Sequence, residues 1–181
     1  ERKWHPSATA GTFGVAGSQT SGSLEFSGGD MKSIQVGYAA QKGTEAALLA
    51  WRGITTSERA LDDRHSCFLR MYSDNPIPER LTDGLGKRWE LRDAAFKAFA
   101  CGIVGQPLMD GIIQLRNMHD IRPEQVAKIE GRVNPFTTVA MWRREPRTGL
   151  EGKFSIWHSA AVCLVDGAAG KAQYGTTGLH R

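Results

Sequence analysis

Between Tyr38 and Arg52, the residues Ala39, Gly43, Ala46, Ala47, Ala50 and Trp51 fall at i, i+4, i+7, i+8, i+11 and i+12. That spacing is one stripe of an α-helix, and Gly53 stands where a closing glycine belongs. A stripe of such small side chains predicts a helix whose backbone lies close to its neighbour, because the separation of packed helices follows the side chains at the contact. The same small residues fill the opening stretch "HPSATAGTFGVAGS". Residues 1–30 are rich in Gly, Ser, Thr and Ala and show no clean amphipathic period. Thr55-Thr56-Ser57-Glu58 reads as a capping box that opens a second helix, and Asn75-Pro76-Ile77-Pro78 ends the helical part in a loop.

The character changes after Lys87. Trp89-Glu90-Leu91 and Ala95-Phe96-Lys97-Ala98-Phe99 read as extended. Pro107 suits the first turn of a helix in which Leu108, Ile112 and Leu115 share a face. Beyond Pro123, Ala127, Ile129, Gly131 and Val133 alternate with Lys128, Glu130 and Arg132, the pattern of a half-buried strand. A further capping box from Thr148 to Glu151 opens a helix with Phe154, Trp157, Ala161 and Leu164 inward, closed by Asp166-Gly167. The expectation is therefore an α+β chain. Residues 1–87 read as a closely packed helical part and residues 88–181 as a smaller mixed α/β module, with the break near residues 84–90.

The 181 residues are 40% hydrophobic and 23% charged, enough for a packed core. A net charge of +4 and a pI near 9.1 suit an anionic small molecule. The lysines and arginines are dispersed with no basic run or interleaved aromatics, which argues against nucleic acid. Cys67, Cys101 and Cys163 are odd in number, far apart and form no CxxC, so reduced thiols are expected rather than a disulfide framework or a zinc site. No apolar run approaches a membrane span, and the first residues carry no signal-peptide core. A soluble, cytoplasmic protein with no membrane partner is the expectation.

Several motifs fail on spacing. Gly17-Ser18-Gln19-Thr20-Ser21-Gly22 lacks the central serine of a hydrolase elbow. Gly167-Ala168-Ala169-Gly170-Lys171 lacks the spacing and the hydroxyl residue of a phosphate loop. Asp62-Asp63-Arg64-His65 could offer metal ligands, but a charged helix surface is the better reading. Three residues remain. His5, in a His-Pro pair before the small-residue run, reads alone as a structural histidine, and Lys32, before the striped helix, reads alone as a surface lysine, while Lys97 between Phe96 and Phe99 is more informative. A lysine among aromatics either finds an anion, gives up its proton or reaches out to solvent.

In these contexts the chain resembles the MmgE/PrpD family, which includes 2-methylcitrate dehydratase, cis-aconitate decarboxylase and an iminodisuccinate epimerase. The stretches that carry the resemblance are "WHPSATAGTFG", "VAGSQTSGSLEF", "MKSIQVGYAAQKGTEAALLAWRGIT", "AFKAFACG" and "REPRTGLEGKFSIWHSAAVCLVDGAAG". The resemblance implies part of a large all-helical domain plus a smaller α/β lid, with the active site in the cleft between them. It implies a lyase or isomerase acting on small di- or tricarboxylates, in which His5 moves a proton and Lys32 and Lys97 stabilise the enediolate-like anion left beside a carboxylate. Gln35, Gln106 and His158 are the expected substrate-binding residues. No metal or organic cofactor is implied, and pairing into a homodimer is.

The chain departs from the family pattern where Gln35 and Gln106 occupy positions at which many members carry histidine. An amide donates and accepts hydrogen bonds but does not shuttle protons near neutral pH. The alternative expectation is a family member that binds carboxylates or partners without converting them.

Overall fold

The structure is a computed structural model and describes residues 5–62 and 67–175. Seven α-helices are described: α1 (Pro6–Ser18), α2 (Met31–Trp51), α3 (Phe68–Tyr72), α4 (Gln106–Met118), α5 (Pro135–Ala140), α6 (Gly149–Gly152) and α7 (Ile156–Val165), joined by loops and short 3-10 turns. The chain divides into two compact units. One comprises Glu1–Gly22 and Ser33–Ala94, and the other Ser23–Lys32 and Ala95–Arg181.

The first unit is assembled from small residues. Pro6 begins α1 at a position where its missing N–H is no loss, and His5 caps it, Nδ1 accepting from the Ser7 N–H at 3.3 Å. A β-carbon added at Gly11 would lie 3.5 Å from the Ala50 Cβ, and one at Gly14 would lie 2.5 Å from the Ser57 carbonyl oxygen. The glycines of α1 therefore admit α2 and the following loop to near backbone contact. Ala46 and Ala50 of α2 are buried with Val15 of α1. α2 ends as its spacing predicts: Gly53 takes φ +87°, and the Ile54 N–H donates to the Leu49 carbonyl at 3.1 Å.

One expectation for this unit fails. Among the described residues that follow Thr55, no helix forms through Asp62, where Ser57 caps only a local turn, its Oγ accepting from the Arg59 N–H at 3.2 Å. α1 itself has no amphipathic stripe to announce it, since glycine and alanine bury without a hydrophobic face.

The second unit is also helical, which corrects the α+β expectation. No α/β lid forms. Among the described residues, strand-type pairing is confined to one isolated bridge between Trp142 and Ser155. Residues 90–93 form a 3-10 turn, and residues 94–97 have no regular secondary structure. The alternating segment 127–133 lies along α4, where a β-carbon at Gly131 would meet Leu108 at 2.7 Å, and with α4 it lines a groove of about 470 Å³. Alternation gives a segment one apolar face, but a sheet also needs a neighbouring strand, and here a helix takes that place.

α4 and α7 form the centre of this unit. Cys101, Met109, Ile112, Met141, Ile156, Ala160, Val162, Cys163, Ala169 and Tyr174 make one buried cluster. Pro107 lies in the first turn of α4 as expected, and the Arg116 Nε donates to the Leu164 carbonyl at 2.9 Å, tying the ends of the two helices. The long helix expected from Thr148 is broken into α6 and α7. Thr148 caps the first, its Oγ1 accepting from the Glu151 N–H at 3.2 Å. Ser155 caps the second, its Oγ accepting from the His158 N–H at 3.1 Å. Its buried face is also displaced from the expected one. Trp157 is 37% exposed while Ser159 is fully buried, because the Ser159 hydroxyl is satisfied by the Tyr174 OH at 3.0 Å.

Candidate functional site

The structure places Lys32, Lys97, Gln106 and His158 in the second unit, and His5 and Gln35 in the first. Lys32 reaches the second unit through the short excursion Ser23–Lys32. Gly28 makes that possible: its φ of +97° is in the region that favours glycine, and a β-carbon there would lie 3.3 Å from the Glu151 Cα. The excursion thus packs against Glu151 of α6, and Lys32 emerges exposed in the first turn of α2.

Lys97 is exposed on an irregular segment beside Phe96, which is 99% exposed. The Gln106 amide holds this segment from the other side. Its Oε1 accepts from the Ala98 N–H at 3.0 Å, and its Nε2 donates to the Phe99 carbonyl at 3.2 Å. Gln106 therefore spends its amide on the backbone that carries Lys97, from the first residue of a 13-residue helix. Phe99 packs against the buried cluster, so the segment is anchored immediately after its lysine.

His158 is half-buried. Its Nε2 lies 3.1 Å from the Gln173 carbonyl, which only accepts, so this nitrogen carries a proton. The ring meets Tyr174 edge-on with centroids 5.5 Å apart. Its contacts are those of a group that seats Tyr174.

Around Tyr174 lies a buried polar set that sequence spacing did not single out. Cys101 Sγ lies 3.3 Å from the Met109 Sδ. Burial pushes the Cys101 thiol above its ordinary range, with hydrogen bonds from Tyr174 and Ser159 and the charge of Lys97 working the other way. Burial, reinforced by Cys101, pushes the Cys163 thiol up to about 12. Tyr174 is likewise raised, first by burial. All three cysteines are free and buried, and burial keeps the thiols of Cys101 and Cys163 protonated and inert.

Arg143 and Arg144 also escaped sequence reasoning. They lie over Trp142 and Trp157 at 4.1 and 4.6 Å from the ring centres. The flanking tryptophans were the only available signal, because arginine pairs on indole faces.

His5 is exposed at the head of α1. Because Nδ1 accepts from the Ser7 N–H, the neutral ring carries its proton on Nε2. Gln35 lies on α2, where a β-carbon at Gly22 would come within 3.0 Å of its Oε1. Asp62 pairs with Arg59, and the rest of the candidate metal motif, Asp63 to His65, lies outside the described residues. Among the described residues no cluster of histidine, cysteine and carboxylate side chains could hold a metal ion, and no helix is long and apolar enough to cross a membrane.

With this geometry in place, the comparisons with known proteins are decisive on family. The model of the MmgE/PrpD N-terminal domain matches residues 3–80, and that of the MmgE/PrpD C-terminal domain matches residues 99–181. The chain belongs to the MmgE/PrpD family. It is 26% identical over 185 residues to cis-aconitate decarboxylase of Aspergillus terreus, covering 93% of this chain and 38% of that protein. It is 30% identical over 183 residues to the cis-aconitate decarboxylase-like protein oryM of Aspergillus oryzae, covering 90% of this chain and 37% of that protein. The chain thus spans under two-fifths of the length of these relatives.

Proposed function

We propose that the intact protein is a lyase acting on a small di- or tricarboxylate, through formation of an anion on the carbon next to a carboxylate. The observation that carries this reading is the match of both family domains, together with the His-Pro, Met-Lys and Phe-Lys motifs at His5, Lys32 and Lys97. The relatives' names favour decarboxylation of an unsaturated tricarboxylate over dehydration or epimerisation. Loss of CO₂ leaves an electron pair delocalised into the neighbouring carboxylate, and that dianion is the species to be stabilised. Lys32 and Lys97 present exposed ammonium groups suited to neutralise it. His5, with its proton on Nε2, is suited to protonate the carbon. Gln106 positions the Lys97 segment and stays out of the proton transfer.

A second reading is binding without conversion. The engagement of Gln106 with backbone favours it, because an amide held there shuttles no proton. Calorimetric titration of the intact protein with citrate-like acids beside a turnover assay separates the two. Conversion of an unsaturated tricarboxylate supports the lyase reading. Saturable binding with no product supports the second.

A further inference from the structure

Residues 128–134 run beside α4 without a helical turn or a bend. Val126 before them and Asn134 at their end have ψ of 108° and 137°, both in the extended range. The N–H and C=O groups of residues 128–133 make no backbone hydrogen bond among the described residues. We propose that this open edge pairs antiparallel with the same edge of a second copy of the chain, about a two-fold axis at Gly131.

One face of the segment is already used. Gly131 lies over Leu108, where a β-carbon would come within 2.7 Å. Ile129 and Val133 join Leu108, Ile112 and Leu115 in lining the groove along α4. The other face carries Lys128, Glu130 and Arg132, all exposed. Lys128 and Glu130 pair with each other at 73% and 75% exposure, a contact too open to water to resist an incoming charge. Arg132 has no ion pair among the described residues. What is left without a protein partner is the backbone edge, and an unpaired edge is a template for a strand of another chain.

The charge pattern selects the occupant. With Gly131 opposite its own copy, Glu130 stands opposite Arg132 of the second copy and Ile129 opposite Val133 of the second copy, each pair occurring twice. Lys128 then faces Asn134, so the pairing uses the whole straight run, and no β-carbon crowds the axis. A slip of two residues one way opposes Glu130 with Glu130 and Lys128 with Arg132. The same slip the other way opposes Arg132 with Arg132. A slip of one sets charged residues against Ile129 and Val133. A parallel pair in register would oppose like charges throughout. The segment is complementary to itself in the antiparallel register centred on Gly131, and that makes a second copy the fitting partner.

The pairing stands independently of the proposed chemistry. It is tested by sedimentation velocity of the full chain over a concentration series, with Glu130→Arg, Arg132→Glu and the double swap. The wild type is expected to dimerise. Each single change sets like charges opposite in both pairs and should weaken the dimer roughly tenfold or more. The double swap should restore it, and so should an equimolar mixture of the two single variants. Both residues are exposed, and unchanged circular-dichroism spectra check that every variant folds. A monomeric wild type overturns the proposal, whether or not it binds some other extended peptide along this edge. Single variants that associate as the wild type does place any dimer on another face and overturn it equally. So does a mixture, or a double swap, that fails to recover the dimer.

Discussion

The two units bury themselves by opposite means. The second surrounds Met109 and Met141, both fully buried, with aliphatic side chains, thiols and a Ser–Tyr pair. The first relies on glycine and alanine, and around Val15, Ala46 and Ala50 the closest approaches are to backbone and methyl groups. The same helix α2 that buries Ala46 leaves Val36, Tyr38 and Leu48 exposed. One unit is held by side-chain volume and the other by its absence. Substitutions of opposite sense should therefore damage them.

The largest effect is expected in the second unit. Met141→Ala removes a fully buried side chain that abuts Gly102 and Gly105, and should cost about 2–5 kcal/mol in denaturant unfolding. The reverse change in the first unit, Ala46→Leu at a fully buried position, should cost about 1–3 kcal/mol by overpacking. If Ala46→Leu is neutral, the first unit is not limited by backbone approach and the contrast fails.

A pH scan sharpens the comparison. The Cys163 thiol is displaced upward from 9.0 to about 12 by burial, so the folded state keeps a proton that the unfolded chain gives up. That contribution is fully present below about pH 9 and is lost as pH rises toward about 12. Hydrogen exchange should show amides of α4 and α7 losing protection in that window, and Cys163→Ala should flatten this part of the profile.

The smallest structural effect belongs to the first unit. His5→Ala removes the cap of α1 and should cost about 1 kcal/mol, measured by thermal unfolding. His5→Asn should restore most of that stability, because asparagine caps well, while failing to restore proton transfer. Full recovery of turnover in His5→Asn would show that the imidazole acts only as a cap.

What the sequence revealed depended on which physical signal each segment carried. α2 was legible at its C-terminal half, because its stripe and Gly53 are both needed for its close packing and termination. The Pro107 helix and the Thr148 cap were legible for the same local reasons. The alternation at 127–133 was misleading, because pairing is a tertiary property and α4 supplied the apolar partner. The face of α7 was misplaced because hydrophobicity favoured Trp157 over Ser159, and only the Tyr174 hydroxyl makes the serine burial favourable. Among the candidate site residues, local chemistry marked Lys97 alone, and His5 and Lys32 gained weight only from the family resemblance of their motifs. The engagement of the Gln106 amide is a three-dimensional fact that no spacing rule encodes.

Turnover of cis-aconitate by the intact protein, compared between wild type and Lys97→Ala, tests the functional account most directly. Lys97 is exposed, so its removal should leave folding intact. The account predicts a fall of roughly 10²–10³-fold in kcat, the scale of one preorganised charge-stabilising group, with an unchanged circular-dichroism spectrum. Wild-type turnover in Lys97→Ala would contradict it.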